Sequence, residues 1–417
     1  MRSSVLSDRD FVKLWAGQGV SVFGSLISRA VLPFIVVFTL HGSNMSVAWL
    51  RVAELVPGIL LGLVAGAMVD RARRRTVMIV VDIARGLLMA AIPVLFITGR
   101  LNLLFILVVA LLMSVATAGF DSAYDAYLPT LVPEDQLLDA NSKLSAVASV
   151  AEVAGFGLAG ALFQWVGGAL TVSFDALSFV VSAVSVVLIK RPEPPVPPVE
   201  DREPVLREIR AGVHVLRRSG PLRRMAMLAC VQSVYFGISG AVYVLFLSRV
   251  LHMAPGLQGI LYAVGGAASF GTAALAGRLS VRFGHRRYLI MAAVLGLIGA
   301  ALLPAAYGSI GLLVVFVVGQ QLLGDGGDTL LDIGLASLRQ QYTANAYLGR
   351  VSAAWFVLTG IGTLGGTLAG GLLAGGLLAG AIGLRDALIV GVGVRLVVVA
   401  LTLLKDRGAV EAAAASG

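Results

Sequence analysis

The chain repeats part of itself at a distance of about 210 residues, and both copies lie between long apolar runs. The segment 66–75 corresponds to 277–286, with a glycine first and an arginine last in each copy. A second stretch, 128–160, corresponds in the same way to 338–370. Parallel internal repeats of this kind are typical of membrane carriers. The repeat therefore predicts two homologous halves, both embedded in lipid.

The apolar runs predict an all-α membrane protein. Hydrophobic residues make up 58% of the 417 positions and charged residues only 13%, and the mean hydropathy is +0.91. A membrane helix needs about 20 apolar residues, and the chain supplies about twelve continuous runs of that kind. We expect twelve transmembrane helices in two pseudo-symmetric six-helix bundles. The runs lie near 10–39, 46–69, 76–98, 101–124, 140–166, 168–189, 221–249, 256–278, 288–307, 309–336, 348–376 and 379–404.

The polar stretch in the middle of the chain predicts the domain organisation. We expect an N-terminal bundle at 1–189, a cytoplasmic linker at 190–220, a C-terminal bundle at 221–405 and a disordered tail at 406–417. The linker begins with a proline-rich spacer, and the spacing of its later apolar residues is that of an amphipathic helix on the inner membrane surface. A merely solvated charged linker is the alternative.

The basic excess is interpreted as membrane topology. The net charge is +9, and most of the 32 Lys and Arg fall in segments that are cytoplasmic when the N-terminus is inside. We therefore expect a multi-pass protein of a bacterial cytoplasmic (inner) membrane with both termini cytoplasmic. Membrane lipid is the expected partner, and nucleic acid is not.

The single cysteine, Cys230, excludes an internal disulfide.

Glycines recur every fourth residue in two of the runs. This spacing lets helix backbones approach closely, and a sliding interface between bundles and a static packing contact both fit it. The ladders consist of Gly58, Gly62 and Gly66 in the second run and of Gly362, Gly366 and Gly370 in the eleventh. Gly155 and Gly160 are further packing glycines; their GxGxxG pattern lies inside an apolar run and lacks the strand that a nucleotide site requires.

Ionisable residues inside the apolar runs each need a partner or a function, because lipid does not solvate them. The candidates for ion coupling are Asp325, Asp328, Glu152 and Glu54, and the matching buried cations are Arg29, Arg85 and Arg395. Asp121, Asp125 and Asp332 are candidates for an inner gate that pairs with the arginines of the repeated segment. Asp325 lies near mid-bilayer, where the gate interpretation weakens and a proton-carrying carboxyl is expected. Asp82 and Arg85 are expected to pair with each other.

The remaining candidate residues are aromatic. Six of them are placed to line a central cavity, although packing against lipid is the alternative for each: Phe34, Phe38, Tyr235, Phe236, Tyr243 and Trp355. The four histidines have no metal-ligand spacing, no GxxxxGK[ST] motif is present, and no set of nucleophile and base stands out. We expect no enzyme activity, no metal and no cofactor.

The repeated segment resembles the inner loop motif of the major facilitator superfamily, G-x-x-x-D-R-x-x-R-[RK]. The resemblance implies that Asp70 caps a neighbouring helix and that the arginines hold a latch. Its residues here are Gly66, Asp70, Arg71, Arg74 and Arg75, with Gly277, Arg282 and Arg286 in the second copy. Val281 replaces the acid of the second copy, so a weaker latch is expected there.

Within that superfamily the chain looks like the bacterial drug and siderophore efflux branch, which includes the enterobactin exporter. The stretches that carry this resemblance are ELVPG at 54–58, DIAR at 82–85, LPTLVP at 128–133, LRQQ at 338–341 and LGRV at 348–351. It implies a monomeric carrier that exports amphipathic small molecules by alternating access, with protons as coupling ion. A facilitator, importer or lysolipid transporter on the same fold is one alternative, and a non-transporting membrane sensor or scaffold is another.

Overall fold

The computed structural model describes residues 5–69, 73–133, 136–193, 205–344, 347–375 and 383–403, and these residues are almost entirely helical with no strand among them. The helices are α1 (Arg9–Thr39), α2 (Asn44–Val69), α3 (Arg74–Ile97), α4 (Leu103–Leu131), α5 (Leu137–Val166), α6 (Gly168–Val187), α7 (Val205–Arg218), α8 (Gly220–Val250), α9 (Pro255–Leu302), α10 (Ile310–Gln341), α11 (Leu348–Gly375) and α12 (Leu384–Leu403).

The helices occupy the predicted apolar runs. Among the described residues, ten helices are long and apolar enough to cross a membrane. α2 has 26 residues, whereas α7 has only 14 and is the helix predicted after the proline-rich spacer. The all-helical membrane fold is therefore confirmed.

α9 comprises two predicted spans that meet at a break in the helix. Its 48 residues are helical except at Gly284, where φ is 71° and ψ is 154°. A residue without a Cβ adopts this left-handed region at little cost, so one glycine is enough to interrupt the helix. The break falls between the two apolar runs predicted at 256–278 and 288–307.

The internal repeat is also visible in the backbone. α1 ends in a π-helical turn at Ile35–Thr39, and α8 ends in the same kind of turn at Phe246–Val250. Each turn is followed by a histidine with positive φ, His41 at 50° and His252 at 54°. Non-glycine residues adopt this conformation rarely, so its occurrence at equivalent places in both copies reflects a duplicated local structure.

The first of two compact units comprises Met1–Arg202 and His252–Ala263. In it α6 packs against α1 and α3, α5 packs against α1, and α2 packs against α4. A buried cluster that includes Phe11, Met78 and Tyr127 fills one end of this helix group.

The second unit comprises Glu203–Leu251 and Val264–Gly417. α8 lies at its centre, with α11 and α12 packed against it, and α7 packs on the beginning of α11. Its core contains Met225, Ala292 and Leu331. The bundle and linker boundaries expected from the sequence stay predictions.

The glycine ladder of α11 faces α8 inside this second unit. A Cβ added at Gly362 would lie 2.8 Å from the carbonyl oxygen of Cys230, and one at Gly370 would lie 2.9 Å from the Cα of Ile238. At Gly366 it would meet the backbone of Val234. The ladder therefore serves close packing between two helices of one unit, which favours the static alternative over the sliding interface.

Candidate functional site

A buried ion pair lies in the second unit where α8, α10 and α12 meet. The guanidinium of Arg395 donates from Nη2 to Oδ2 of Asp328, and the two side chains are 1% and 9% exposed. Gln232 joins both partners: its Nε2 donates to Asp328 Oδ1 at 2.9 Å, and its Oε1 accepts from Arg395 Nη1 at 2.5 Å. Both carboxylate oxygens of Asp328 therefore have strong donors.

Aromatic and glycine residues shape the space around this pair. The guanidinium carbon of Arg395 lies 3.9 Å from the ring centroid of Tyr235, within cation–π range. Phe236 lies farther off, at 5.7 Å, and is 39% exposed. On α9, a Cβ at Gly296 would come within 3.0 Å of both Arg395 Nη1 and Asp328 Oδ1. The pair fits because that helix presents no side chain at this point.

Asp325 lies one turn before Asp328 but in different surroundings. It is the last residue of a π-helical turn, Gln321–Asp325, and it is only partly buried. Its Oδ1 accepts one long hydrogen bond, 3.5 Å, from Gln320 Nε2, and it forms no ion pair with any described residue. Gln320 is held in turn by the hydroxyl of Tyr243, which donates to its Oε1 at 2.9 Å. Asp325 is therefore a carboxyl with one weak hydrogen bond and no ion pair to a described residue.

Asp332, two turns farther along α10, is exposed and has no ion-pair partner among the described residues. The predicted cavity residue Trp355 lies 5.0 Å beneath the guanidinium of Arg339. Its ring packs partly buried against the core of the unit rather than standing free.

The first unit has its own buried ion pair, as the sequence predicts. Arg85 Nη2 donates to Asp82 Oδ1 within α3, and both side chains are almost completely buried. The guanidinium lies between the rings of Phe120, at 4.1 Å, and Phe179, at 4.5 Å. Asp175 is also fully buried and accepts from Ser178 Oγ at 3.1 Å. These groups have specific partners, which is typical of a structural core.

Other charged residues of the first unit are exposed. Arg29 on α1 and Glu152 on α5 are exposed residues without a hydrogen bond between them, although Arg29 lies within electrostatic reach of Glu152 and Glu54. Glu54 Oε2 accepts from Arg51 Nη1 at 2.9 Å, and its backbone carbonyl accepts from Ser114 Oγ at 2.7 Å. Charged side chains in a span need water or partners, so this face is a candidate for the transport path.

Asp121 and Asp125 extend this exposed face along α4. Both residues are exposed, and neither pairs with an arginine among the described residues. The residues directly before them, Phe120 and Tyr124, stack with ring centroids 6.2 Å apart. Their predicted gate partners lie partly in the loop 70–72, outside the described residues.

Phe34, one of the aromatic residues expected either to line a cavity or to pack, is packed in this conformation. Its ring is fully buried, with centroids 6.0 Å from Phe38 and 5.4 Å from Phe163. The three rings form one edge-to-face cluster, which stabilises helix packing because aromatic quadrupoles favour that geometry. Phe38 is only partly buried and remains a candidate.

Comparison with known proteins assigns the family. The family model described as Major Facilitator Superfamily matches residues 14–367. The chain belongs to the Major Facilitator Superfamily. Its fold is similar to that of the nucleoside transporter NupG, with a TM-score of 0.77, 12% identity and coverage of 95% and 100% of the two chains. A bacterial homologue of the iron transporter ferroportin has a TM-score of 0.75, 18% identity and coverage of 96% and 99%.

Relatives in sequence are also members of this superfamily or efflux proteins. An uncharacterized MFS-type transporter of Sinorhizobium fredii is 28% identical over 78% of this chain and 80% of its own. Macrolide efflux protein A of Streptococcus pyogenes is 27% identical over 50% and 51%. Multidrug efflux pump Tap of Mycolicibacterium fortuitum is 28% identical over 43% and 44%. The chain thus spans about half the length of the efflux relatives that it matches.

The superfamily's loop motif is bound to the first unit by reciprocal helix caps. Glu193, just beyond α6, accepts from the backbone amides of Arg74 at 2.7 Å and Arg75 at 3.3 Å, where α3 begins. The guanidinium of Arg75 donates to the carbonyls of Val186 and Val187, at 3.2 and 2.8 Å, where α6 ends. A carboxylate at a helix N-terminus and a guanidinium at a C-terminus both complement the helix dipole. Arg75 therefore caps α6.

The structure describes only some of the other motif residues. Asp70 and Arg71 lie outside the described residues, and Gly66 and Gly62 lie in the part of α2 whose packing is not described. In the second copy, Gly277 has open space around it, Arg282 lies over Phe283, and Arg286 Nη2 donates to the carbonyl of Leu403 at 3.2 Å. Arg286 thus also binds a helix end.

The packing glycines of α5 contact two neighbours. At Gly155, a Cβ would lie 3.1 Å from the Cβ of Leu26 on α1. At Gly160, it would lie 2.8 Å from the Cα of Gly259, in the part of α9 that belongs to the first unit. Gly58 is less restricted, since its nearest neighbour would be Ser114 Oγ at 3.6 Å.

Sequence reasoning missed two glutamines and one glutamate that position residues of these sites. Gln232 and Gln320 each hold an acid in place, and Glu193 caps α3 from a segment assigned to the linker. An amide within an otherwise apolar run was the available signal for both glutamines, because such a group needs a partner there. Among the described residues, no group of three His, Cys, Asp or Glu could hold a metal ion.

Proposed function

We propose that this member of the superfamily exports amphipathic small molecules across the bacterial cytoplasmic membrane in exchange for protons. Two efflux relatives, one named for macrolides and one for multiple drugs, support the export direction. The superfamily assignment supports a carrier over a sensor or scaffold.

The observation that carries proton coupling is the contrast between Asp325 and Asp328. Asp328 accepts a hydrogen bond from Arg395 on one carboxylate oxygen and from Gln232 on the other, so its negative charge is compensated. Asp325 has a single long bond to Gln320. A carboxyl without a cation has to take up a proton whenever water leaves its surroundings, because lipid and protein do not solvate the bare charge.

The transport step follows from this difference. Asp325 binds a proton from the outer side when its surroundings open there, and it releases that proton to the cytoplasm when they open inward. Cargo that binds from the cytoplasm is carried outward as the protein reopens to the outer side. In this scheme Asp328 and Arg395 hold the helices in register, while Gln320 positions the Asp325 carboxyl.

The first prediction concerns Asp325→Asn, which keeps the shape of the side chain and removes the titrating proton. In everted membrane vesicles with an acidified lumen, uptake of a macrolide such as erythromycin should fall at least tenfold relative to the unchanged protein. Exchange of labelled for unlabelled macrolide without a gradient should continue, because cargo binding and the conformational change do not need the proton.

Asp386→Asn is the matched control, since Asp386 lies in the first turn of α12 and outside this cluster. It should leave gradient-driven uptake within a factor of about two. Full uptake by Asp325→Asn would exclude Asp325 as the proton carrier. Uptake into right-side-out instead of everted vesicles would show an importer, and transport that ignores the gradient would show a facilitator.

A further inference from the structure

The amphipathic helix α7 presents a stripe of arginines with one histidine that the export scheme does not use. Its 14 residues include four arginines, one histidine and one glutamate, and no lysine. With about 100° between successive helical residues, the side chains of Arg207, Arg210, His214, Arg217 and Arg218 fall within about 100° of one face. All five residues are exposed.

The opposite face of α7 holds the helix firmly on the second unit. Leu216 is 5% exposed and belongs to the core cluster that includes Val351 and Ala354 of α11. Gly212 lies directly against the backbone carbonyl of Arg350, and a Cβ there would come within 2.9 Å of the Cβ of Ala354. The helix cannot rotate its basic stripe inward without losing this contact.

The stripe lies at the membrane boundary, because a transmembrane helix begins immediately after it. Ser219 is the N-cap of α8, and the span of α8 begins at Gly220, directly after Arg217 and Arg218. None of Arg210, His214, Arg217 and Arg218 forms a hydrogen bond or ion pair with a described residue. These exposed side chains therefore lie beside the start of a membrane span, in the zone of the lipid headgroups.

We propose that α7 is a binding surface for anionic phospholipid of the adjoining membrane leaflet, with Arg210 and Arg217 as its central contacts. The two are seven residues apart and so lie one above the other on the helix. The guanidinium group fits this occupant, since its planar fork binds phosphate through two hydrogen bonds at once. Each arginine near a charged bilayer surface contributes about 1 kcal/mol of attraction.

Bound lipid would hold α7 on the first turn of α11. The contact between Gly212 of α7 and the backbone of Arg350 in α11 connects the basic stripe with a transmembrane helix, and the mechanism needs no other connection. Headgroup composition would thereby affect how firmly α7 packs on the second unit, independently of the cargo and of Asp325.

The test measures lipid affinity on the purified full chain. Dioctanoyl phosphatidylglycerol should bind more tightly than dioctanoyl phosphatidylcholine in a detergent-solubilised titration at low salt. Arg210→Gln/Arg217→Gln should weaken phosphatidylglycerol binding about 30-fold, the fold-change that corresponds to about 1 kcal/mol per arginine. Arg210→Lys/Arg217→Lys should retain most of the affinity and shows that the fold survives substitution at both positions.

The matched control is Arg278→Gln/Arg287→Gln, which removes two exposed arginines of α9 near its break at Gly284. It should leave phosphatidylglycerol affinity within about threefold. Equal weakening by both pairs would overturn the proposal, because it would indicate attraction to net charge and no site on α7. Equal affinity for phosphatidylcholine, or equally tight binding of glycerol phosphate without acyl chains, would also overturn it.

Discussion

Asp325 and Asp328 are three positions apart in α10, yet one has no cation beside it and the other is enclosed by donors. The difference comes from the facing helices. Arg395 on α12 and Gln232 on α8 reach Asp328, while Gly265 on α9 leaves space for the Asp325 carboxyl. Identical side chains therefore have different chemistry within one turn.

The second prediction is a double-mutant cycle on the Asp328–Arg395 pair. Asp328→Asn should destabilise the protein by about 3–5 kcal/mol, because it leaves a buried guanidinium without a counter-charge. Asp328→Asn/Arg395→Gln should recover most of that loss. Thermal unfolding of the four proteins in one detergent measures the coupling.

The Arg51–Glu54 pair is the control for that cycle. Its side chains are 24% and 22% exposed, so water already stabilises both charges. Its coupling should be about 0.2–1 kcal/mol. If the Asp328–Arg395 changes prove additive, the pair does not stabilise the second unit as we infer.

At the scale of helices, the glycines decide which elements can approach one another. Gly366 on α11 lies directly against the backbone of Val234 on α8, whereas its neighbour Gly365 has nothing within 4 Å of where a Cβ would lie. Adjacent residues of one helix thus provide a matched pair for a packing test.

The third prediction uses that pair. Gly366→Ala should destabilise the protein by about 1–3 kcal/mol, because backbone atoms have to move apart to admit a methyl group. Gly365→Ala should be neutral or stabilising by up to about 1 kcal/mol, the difference in helix propensity. Melting temperatures of the two purified variants check this. An unchanged melting temperature for Gly366→Ala would show that α8 and α11 are not closely packed.

At the scale of the whole molecule, the repeat implies that the two copies of the loop motif lie on the same side of the membrane. Cys230 is the only cysteine, so Cys230→Ala provides a background for single-site labelling. Arg73 precedes α3, His285 follows the break in α9, and both are exposed.

The fourth prediction concerns this topology. Arg73→Cys and His285→Cys should both resist a membrane-impermeant maleimide applied to intact cells, and both should react once the cells are opened. Arg100→Cys, in the turn between α3 and α4, should react in intact cells. Labelling of only one motif position from outside would contradict a parallel duplication.

The outcome for particular residues shows how far a sequence of this kind can be interpreted. The helices and the Asp82–Arg85 pair follow from local patterns, and the structure confirms them. Arg75 was assigned to a latch by its motif, yet it caps α6. Phe34 was assigned to a cavity, yet it packs against Phe163. Both contacts involve a partner more than 100 positions away in the chain, which no local pattern specifies.

The amino-acid sequence by itself determined that this protein lies in lipid, where its helical spans are, that it is duplicated and to which superfamily it belongs. Lipid imposes the helical spans, because every backbone group in a span has to be paired within its own helix and every long apolar run has to leave water. Only the tertiary structure decided which acid has a counter-charge, which helix each glycine faces and which helix end each arginine caps. Those depend on side chains that converge from separate helices, and their distances are set by packing rather than by order along the chain.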